Sequence, residues 1–375
     1  MKHSEKKEQS VKRLQSIDAL RGFDMCWIMG FPAIVYALNA IFGGNVLMWS
    51  AEQMEHVPWD GFHFMDLVFP LFLFIAGVSF PFSLDKRHAA NEPNSKIYGH
   101  IVKRAFLLVL FGAIYNGLLN FDFESMRYAS VLAHIGLGWF FAALIFMHID
   151  RKYLIGTIWI IGIIVGYGLL NLFVLAPDAT GTNPFLPENN IACWFDRMFL
   201  PGVLYRGIFD PEGLLSLVPA TATALIGMLS GNYLKEKTPS PAVKAHLLFG
   251  VGLMILSVTI VAGMIIPYNK ALWSSSFTLL TGSISILLLA LFYWIIDVHH
   301  FTKWTFFFRV VGMNSITIYM AQQIIEFQGI NSFFLGGLAS KCSPEYGSLL
   351  LSLGYVACCW LFLYFLYKKK VFLKV

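Results

Sequence analysis

A polar and aromatic segment leads directly into an apolar run: HVPWDGFHFMD at residues 56–66, followed by LVFPLFLFIAGV at residues 67–78. The apolar run is typical of a helix that crosses a membrane, and it decides the fold class. The segment before it holds two histidines and two aspartates. Ionisable side chains at the mouth of a membrane span are unfavourable to place there, so by default they mark a functional site.

The composition of the whole chain agrees with a membrane location. The 375 residues are 57% hydrophobic and only 13% charged, whereas a soluble domain carries roughly 25% charged residues. The sequence predicts an all-α polytopic membrane protein in which residues 1–375 form a single domain. About ten apolar segments approach the ~20 residues that a crossing helix needs. They lie near residues 22–43, 64–84, 102–120, 129–148, 153–175, 214–234, 245–267, 275–296, 307–327 and 347–367.

The distribution of Lys and Arg predicts the orientation in the membrane. If residues 1–20 are cytoplasmic, all but five of the 27 Lys and Arg residues fall on the cytoplasmic side; the exceptions are Arg127, Arg197, Arg206, Lys270 and Lys341. Cytoplasmic loops carry an excess of Lys and Arg, so we expect both termini inside and residues 56–66 outside. The first span is not typical of a cleavable signal peptide, which favours a bacterial inner membrane. The basic residues form no single patch, so a nucleic-acid partner is not indicated.

The longest predicted external loop, residues 176–213, combines acidic and aromatic residues. This combination favours sugar binding, and a lid packed on the membrane domain is the alternative, since long loops are often functional. Cys193 and Cys342 fall in predicted external loops, where an oxidising compartment would allow them to pair. No Cys/His spacing is typical of a zinc site, so no metal is expected.

His56 and Asp66 are the candidates for proton-transfer chemistry. A histidine exchanges a proton near neutral pH, and a carboxylate beside it orients the ring and stabilises its charged form. Their separation of ten residues allows contact without requiring it. His63 is a competing base. An interfacial histidine that only binds a loop is the structural alternative, with Trp59 as an ordinary interfacial aromatic residue.

Three further polar segments interrupt or enter the apolar spans: Asp210–Gly213 with Glu212, Asn269–Ser276 with Trp273, and Gly312–Ser315 with Asn314 and Ser315. A single polar residue in a span often joins two helices. Several such segments beside a histidine-bearing mouth favour an enclosed pocket.

These residues carry a resemblance to a known family. The strings in order are RLQSIDALRG (13–22), HVPWDG (56–61), DLVFPLFLFIAG (66–77), DPEG (210–213), NK with LWS (269–270 and 272–274), DV (297–298) and GMNSI (312–316). Together they resemble the heparan-α-glucosaminide N-acetyltransferase family, which has bacterial relatives linked to amino-sugar utilisation. The resemblance covers nearly the whole chain.

The resemblance implies a transmembrane acetyltransferase that moves an acetyl group from cytoplasmic acetyl-CoA to an amino sugar on the external side. The family's active histidine falls on His56, with Asp66 as its partner. By position, Trp59, Asp60, Glu212 and Trp273 are candidate sugar contacts, and Asn314 and Ser315 are candidate partners of the thioester. Arg21 and Arg104 lie near the cytoplasmic ends of their spans and are candidate ligands of the CoA phosphates. Ordinary positive-inside topology explains both arginines equally well.

The sequence leaves the mechanism and one rival function open. Direct attack of the amine and an acetyl-His56 intermediate are both compatible with these residues. A proton-coupled transporter for an amino sugar or oligosaccharide is the alternative function. Against it, the sequence shows no repeated halves and predicts no paired broken spans. Besides the amino-sugar acceptor and the lipid bilayer, a second copy of the chain in a homodimer stays open as a partner.

Overall fold

The computed structural model describes residues 14–373, so residues 1–13 of the predicted N-terminal segment, with Lys374 and Val375, lie outside it. Within the described residues the chain is helical, and its only extended pairings are three isolated β-bridges. The helices are α1 (Gln15–Ile28), α2 (Phe31–Phe42), α3 (Asn45–Glu52), α4 (Phe64–Ala89), α5 (Asn94–Tyr115), α6 (Val131–His148), α7 (Lys152–Phe173), α8 (Ile191–Phe199), α9 (Leu217–Leu234), α10 (Pro241–Gly263), α11 (Ser275–Tyr293), α12 (Thr305–Gly312), α13 (Ser315–Ile324), α14 (Phe327–Ala339) and α15 (Pro344–Lys368).

The predicted fold class, an all-α polytopic membrane protein, is confirmed. Among residues 14–373, eight helices are long and apolar enough to cross a membrane: α4, α5, α6, α7, α9, α10, α11 with the π-turn that extends it to Val298, and α15. A ninth span results if α1 and α2, which meet at an angle of 59°, are taken together.

Two predicted spans are broken rather than continuous. The first bends at Gly30, whose φ of +115° suits glycine, and Pro32 then starts α2. The span expected at residues 307–327 is divided into α12 and α13 at Met313 and Asn314, and the chain continues as α14. Asparagine competes with the helix for backbone hydrogen bonds, so a break at Asn314 is natural. Both breaks fall within segments that the sequence analysis took as continuous spans.

The bundle has two ends, which we name after a residue at each. At the His56 end, the loop of residues 53–63 pairs with the loop of residues 264–274 through a β-bridge between Asp60 and Asn269. At the Asp297 end, the Asp297 carboxylate accepts the backbone N–H of Ser16 at 3.1 Å. The long helices run between these ends.

Helices α4 and α9 form the centre of the bundle because glycines let their backbones touch. A Cβ added to Gly227 would lie 2.2 Å from the Phe74 carbonyl oxygen, and one added to Gly231 would lie 2.2 Å from the Val78 carbonyl oxygen. Small residues four apart allow such close approach between membrane helices, where van der Waals contact replaces the hydrophobic effect. This contact fixes α4, which begins two residues before Asp66.

Gly227→Ala should therefore destabilise the protein, by about 1–3 kcal/mol as for other overpacked interiors. The control is Gly162→Ala in α7, where an added Cβ meets no atom within 4 Å. That substitution should leave stability unchanged or raise it slightly, because alanine is the better helix former. Thermal unfolding of both variants in one detergent measures the difference, and equal midpoints would contradict this account of the α4–α9 contact.

Candidate active site

His56 and Asp66, the predicted dyad, lie in direct contact. His56 Nδ1 is 2.8 Å from Asp66 Oδ1, and Asp66 Oδ2 accepts the backbone N–H of His63 at 3.0 Å. The Asp66 side chain is 0% exposed, whereas that of His56 is 53% exposed. Asp66 occupies the first turn of α4, where the helix dipole favours a carboxylate. An ionised Asp66 accepts a proton held on Nδ1, which leaves Nε2 as the basic nitrogen of the neutral ring.

Lys270 completes this cluster, although the sequence analysis did not assign it to the site. Its Nζ lies 3.1 Å from His56 Nδ1 and 3.5 Å from Asp66 Oδ1. Burial lowers the pKa of the Lys270 amine, and the nearby carboxylates of Asp66 and Glu212 oppose that shift. The only sequence signal was its position, since it is one of the few lysines predicted to be external and comes directly before a span.

Backbone pairing holds the His56 loop against the Lys270 loop. The Gly61 N–H donates to the Tyr268 carbonyl at 2.8 Å, and Asn269 Nδ2 donates to Asp60 Oδ1 at 3.0 Å. Gly61 has a φ of +126°, a conformation that glycine adopts without strain. Asp60 is exposed and does not line the cavity beside His56, so its observed role is to join the two loops.

A cavity of about 480 Å³ opens beside the dyad and extends into the bundle between α1, α4, α6 and α13. This volume is typical of small-molecule sites. Aromatic and aliphatic side chains form most of its wall, and six acidic, basic or histidine side chains lie among them: His56, Asp66, Arg127, Arg206, Glu212 and Lys270. Phe72 and Ser315 also line it. The arrangement places a base, a carboxylate and cations around one enclosed volume.

Arg127, in the wall of this cavity, neutralises two buried carboxylates. Its Nε donates to Asp210 Oδ2 at 2.7 Å, its Nη2 to Asp210 Oδ1 at 2.5 Å, and Nη2 also hydrogen-bonds Glu212. Burial raises the pKa of Glu212 although Arg127 opposes that shift. Such bidentate contact fixes the segment that carries Glu212.

The loop of residues 176–213 folds over the cavity rather than extending into solvent. Trp59 Nε1 donates to the Phe185 carbonyl at 2.9 Å, and the Trp59 ring packs edge-on against Phe209 at 4.7 Å. The loop therefore packs on the membrane domain, while Tyr205 and Phe209 also line the cavity. Within it, Cys193 is buried, whereas Cys342 is exposed elsewhere, and both are free thiols. The pairing of these cysteines considered from sequence is therefore wrong.

Not every predicted contact residue reaches the cavity. Trp59, Glu212 and Ser315 line it. Trp273, expected to contact sugar, is 0% exposed and packs against Phe69 with ring centroids 4.9 Å apart, so it supports the wall from behind.

The predicted thioester partner Asn314 is also absent from the cavity wall. Its amide donates to the Val371 carbonyl at 3.2 Å, and its side chain is almost fully buried. Asn314 therefore holds the break between α12 and α13, and Ser315 is the residue of this pair that faces the cavity.

A second, smaller cavity lies towards the Asp297 end of the bundle. Its volume is about 250 Å³, and its wall includes Arg87, His100, Lys103 and Arg104. The Arg104 guanidinium lies 4.2 Å from the centre of the Trp139 ring, and its Nε has no hydrogen-bond partner among the described residues.

The other predicted cation, Arg21, does not line this second cavity. Its Nη2 donates to Ser79 Oγ at 2.8 Å, and its Nη1 lies 3.5 Å from Asp18 Oδ1. Arg21 therefore joins α1 to α4, and of the two predicted arginines Arg104 is the one that lines this second cavity.

Comparisons with known proteins agree with the resemblance found in the sequence. A family model described as a domain of unknown function, DUF5009, matches residues 13–181. The heparan-alpha-glucosaminide N-acetyltransferase of Mus musculus is 26% identical over 99% of this chain and 62% of its own length. The Homo sapiens protein of that name is 26% identical over 97% of this chain and 60% of its own length. The chain thus spans about three fifths of both relatives, of which it is a distant relative.

Proposed function

We propose that this protein transfers an acetyl group from acetyl-CoA to the amino group of a glucosamine-type sugar, with the sugar bound at the His56 end. The observation that carries the proposal is the His56–Asp66 contact of 2.8 Å at the wall of a 480 Å³ cavity. The names of the two relatives supply the reaction class, since both are N-acetyltransferases acting on a glucosaminide.

In the proposed reaction His56 acts as the general base. Its Nε2 removes a proton from the acceptor amine, whose nitrogen then attacks the thioester carbonyl carbon. The C–N bond forms, the C–S bond breaks, and the CoA thiolate leaves and takes up a proton. Asp66 holds Nδ1–H and stabilises the imidazolium that forms. An acetyl-His56 intermediate is the competing course, and ping-pong kinetics would reveal it.

The second cavity supports a binding site for the CoA phosphates. Phe72 of α4 and Ile135 of α6 line the first cavity, while Phe80 and Trp139, farther along the same two helices, line the second. Residues four or eight apart share a helix face, and eight residues of α4 span about 12 Å. A narrow pantetheine arm lying along this face would connect phosphates near Arg104 to a thioester near His56.

Charge distribution supports an orientation in which the His56 end is external. The predicted cytoplasmic cations Arg87, Lys103 and Lys235 all lie in segments near the Asp297 end, whereas the His56 end balances Arg127 with Asp210 and Glu212. Under the positive-inside rule, this bias puts acetyl-CoA in the cytoplasm and the sugar across the membrane. A bacterial inner membrane is the location that we propose.

The proposal is tested with purified protein in lipid nanodiscs, acetyl-CoA, and glucosamine or short glycans that end in glucosamine. We expect CoA and the N-acetylated sugar to appear in equal amounts. No CoA release with any of these acceptors would contradict the proposed reaction.

Arg104→Gln should raise KM for acetyl-CoA by about tenfold, which corresponds to the loss of one charge-assisted contact of about 1.4 kcal/mol. Its effect on KM for the sugar should be small, because Arg104 does not line the His56 cavity. Arg151→Gln is the control, since Arg151 is exposed at the start of α7. Equal KM values for acetyl-CoA in both variants would exclude Arg104 from the donor site.

An amino-sugar transporter is the second candidate, and the broken helices favour it. Ile28, beside the α1–α2 bend, and Ser315, beside the α12–α13 break, both line the 480 Å³ cavity. Discontinuous helices around a central site are typical of secondary transporters. Uptake of labelled glucosamine by proteoliposomes without acetyl-CoA would support transport, and unmodified sugar remaining outside would exclude it.

A further inference from the structure

Lys270 contacts the His56 ring in an unusual way. Its Nζ lies 3.1 Å from Nδ1 and 3.4 Å from Nε2. An ammonium that donated to one lone pair in the ring plane would lie much farther from the other nitrogen. The near-equal distances therefore put the amine against the face of the ring, while the ring edge keeps its 2.8 Å contact with Asp66.

Two neighbouring charges act on His56 in opposite directions. The Asp66 carboxylate favours a proton on the ring, and an ammonium against the ring disfavours it. Lys270 is largely enclosed, with its side chain only 17% exposed, so solvent screens its charge poorly. With Asp66 ionised and Lys270 charged, a neutral His56 leaves the three groups with no net charge.

The other charged groups around the dyad contact other partners and do not oppose the effect of Asp66 on His56. On the facing elements, Arg127 is paired with Asp210 and Glu212, and Arg206 is exposed beside Tyr205. On the loop of His56 itself, Asp60 is bound to Asn269 and the His63 ring lies 3.1 Å from the Glu55 carbonyl. Lys270 is the only cation for which a contact with both His56 and Asp66 is recorded among the described residues.

We propose that Lys270 is a positioning residue that keeps His56 unprotonated near neutral pH, so that its base is free when the acceptor binds. The inference rests on the proposed function only in giving His56 the role of base. The charge relationship among Asp66, His56 and Lys270 follows from the contacts alone.

Replacing Lys270 with methionine tests this role. In Lys270→Met the Asp66 carboxylate remains without the opposing cation, so the titration midpoint of His56 should rise by about one pH unit, a tenfold gain in proton affinity. The acid limb of the kcat/KM profile should move to higher pH by the same amount. Lys270→Arg keeps the charge and should restore the wild-type midpoint.

Nuclear magnetic resonance of protein labelled at histidine Cε1 follows the midpoint directly, with the His56 signal assigned by its loss in His56→Gln. Lys341→Met is the matched control, because Lys341 is exposed between α14 and α15. An unchanged or lowered His56 midpoint in Lys270→Met would overturn the proposal. So would loss of activity at every pH with an unchanged midpoint, which would give Lys270 a direct chemical role. A raised midpoint in a protein that makes no acetylated sugar would support the charge relationship and reject the proposed function.

Discussion

His56→Ala is expected to lower kcat/KM for acetyl transfer by about 10²–10⁴-fold, the usual contribution of a general base. The reason is geometric, because Asp66 is fully buried and binds only one side of the imidazole, which leaves the other nitrogen available to the acceptor. CoA release with saturating acetyl-CoA and varied sugar measures the loss. Asp66→Asn should also lower activity, since a neutral amide no longer stabilises the imidazolium.

His63→Ala is the matched control for this experiment. Its backbone N–H contacts Asp66, whereas its ring lies 3.1 Å from the Glu55 carbonyl and does not line the His56 cavity, so removal of the ring should leave most of the activity. A protein that lost activity on removal of His63 but kept it on removal of His56 would transfer the role of base to His63.

Arg127→Met is expected to have the largest effect on stability, about 3–5 kcal/mol, because it leaves two buried carboxylates without their cation. The Asp210 side chain is fully buried and that of Glu212 nearly so. Thermal unfolding in detergent measures the change. The control is Lys235→Met, whose partner Asp85 is 40% exposed, and surface pairs of this kind contribute little.

The pH dependence of Arg127→Met has a definite sign. Burial raises the pKa of Glu212 even with Arg127 present, so without Arg127 the ionised form is disfavoured further in the folded state. A carboxyl whose folded-state pKa lies above its unfolded value destabilises the protein at higher pH and ceases to do so as pH falls. The thermal unfolding midpoint of Arg127→Met should therefore approach that of wild type as the pH falls from about 8 to about 5. A difference in unfolding midpoint that stays constant with pH would contradict the assignment of Glu212 as a buried carboxylate stabilised by Arg127.

Sequence patterns predicted the membrane fold and the dyad because both depend on local signals. Long apolar runs identify spans. The spacing of His56 and Asp66 allows contact without requiring it, and the family resemblance favoured His56 over His63. The α12–α13 break was harder to predict, because its helical segments are as apolar as a span and the Asn314 contact with Val371 joins residues 57 apart in sequence.

The cavity wall could not be predicted in this way, because it is formed by contacts between residues distant in sequence. Arg127 and Asp210 are 83 residues apart, and Lys270 and His56 are 214 apart. Trp273 was a reasonable candidate for sugar contact, since aromatic residues serve both binding and packing. Its positive φ of 49° and its place behind Phe69 belong to the fold and leave no trace in the sequence.

The most direct test of the account is the sidedness of acetyl transfer. Proteoliposomes enclosing glucosamine receive radiolabelled acetyl-CoA outside, and the labelled sugar inside is measured together with the CoA released outside. We expect labelled N-acetylglucosamine inside the vesicles, matched in amount by CoA outside, and none with His56→Ala. Labelled sugar that forms only when acetyl-CoA and glucosamine share one side, or none at all, would contradict transfer across the membrane.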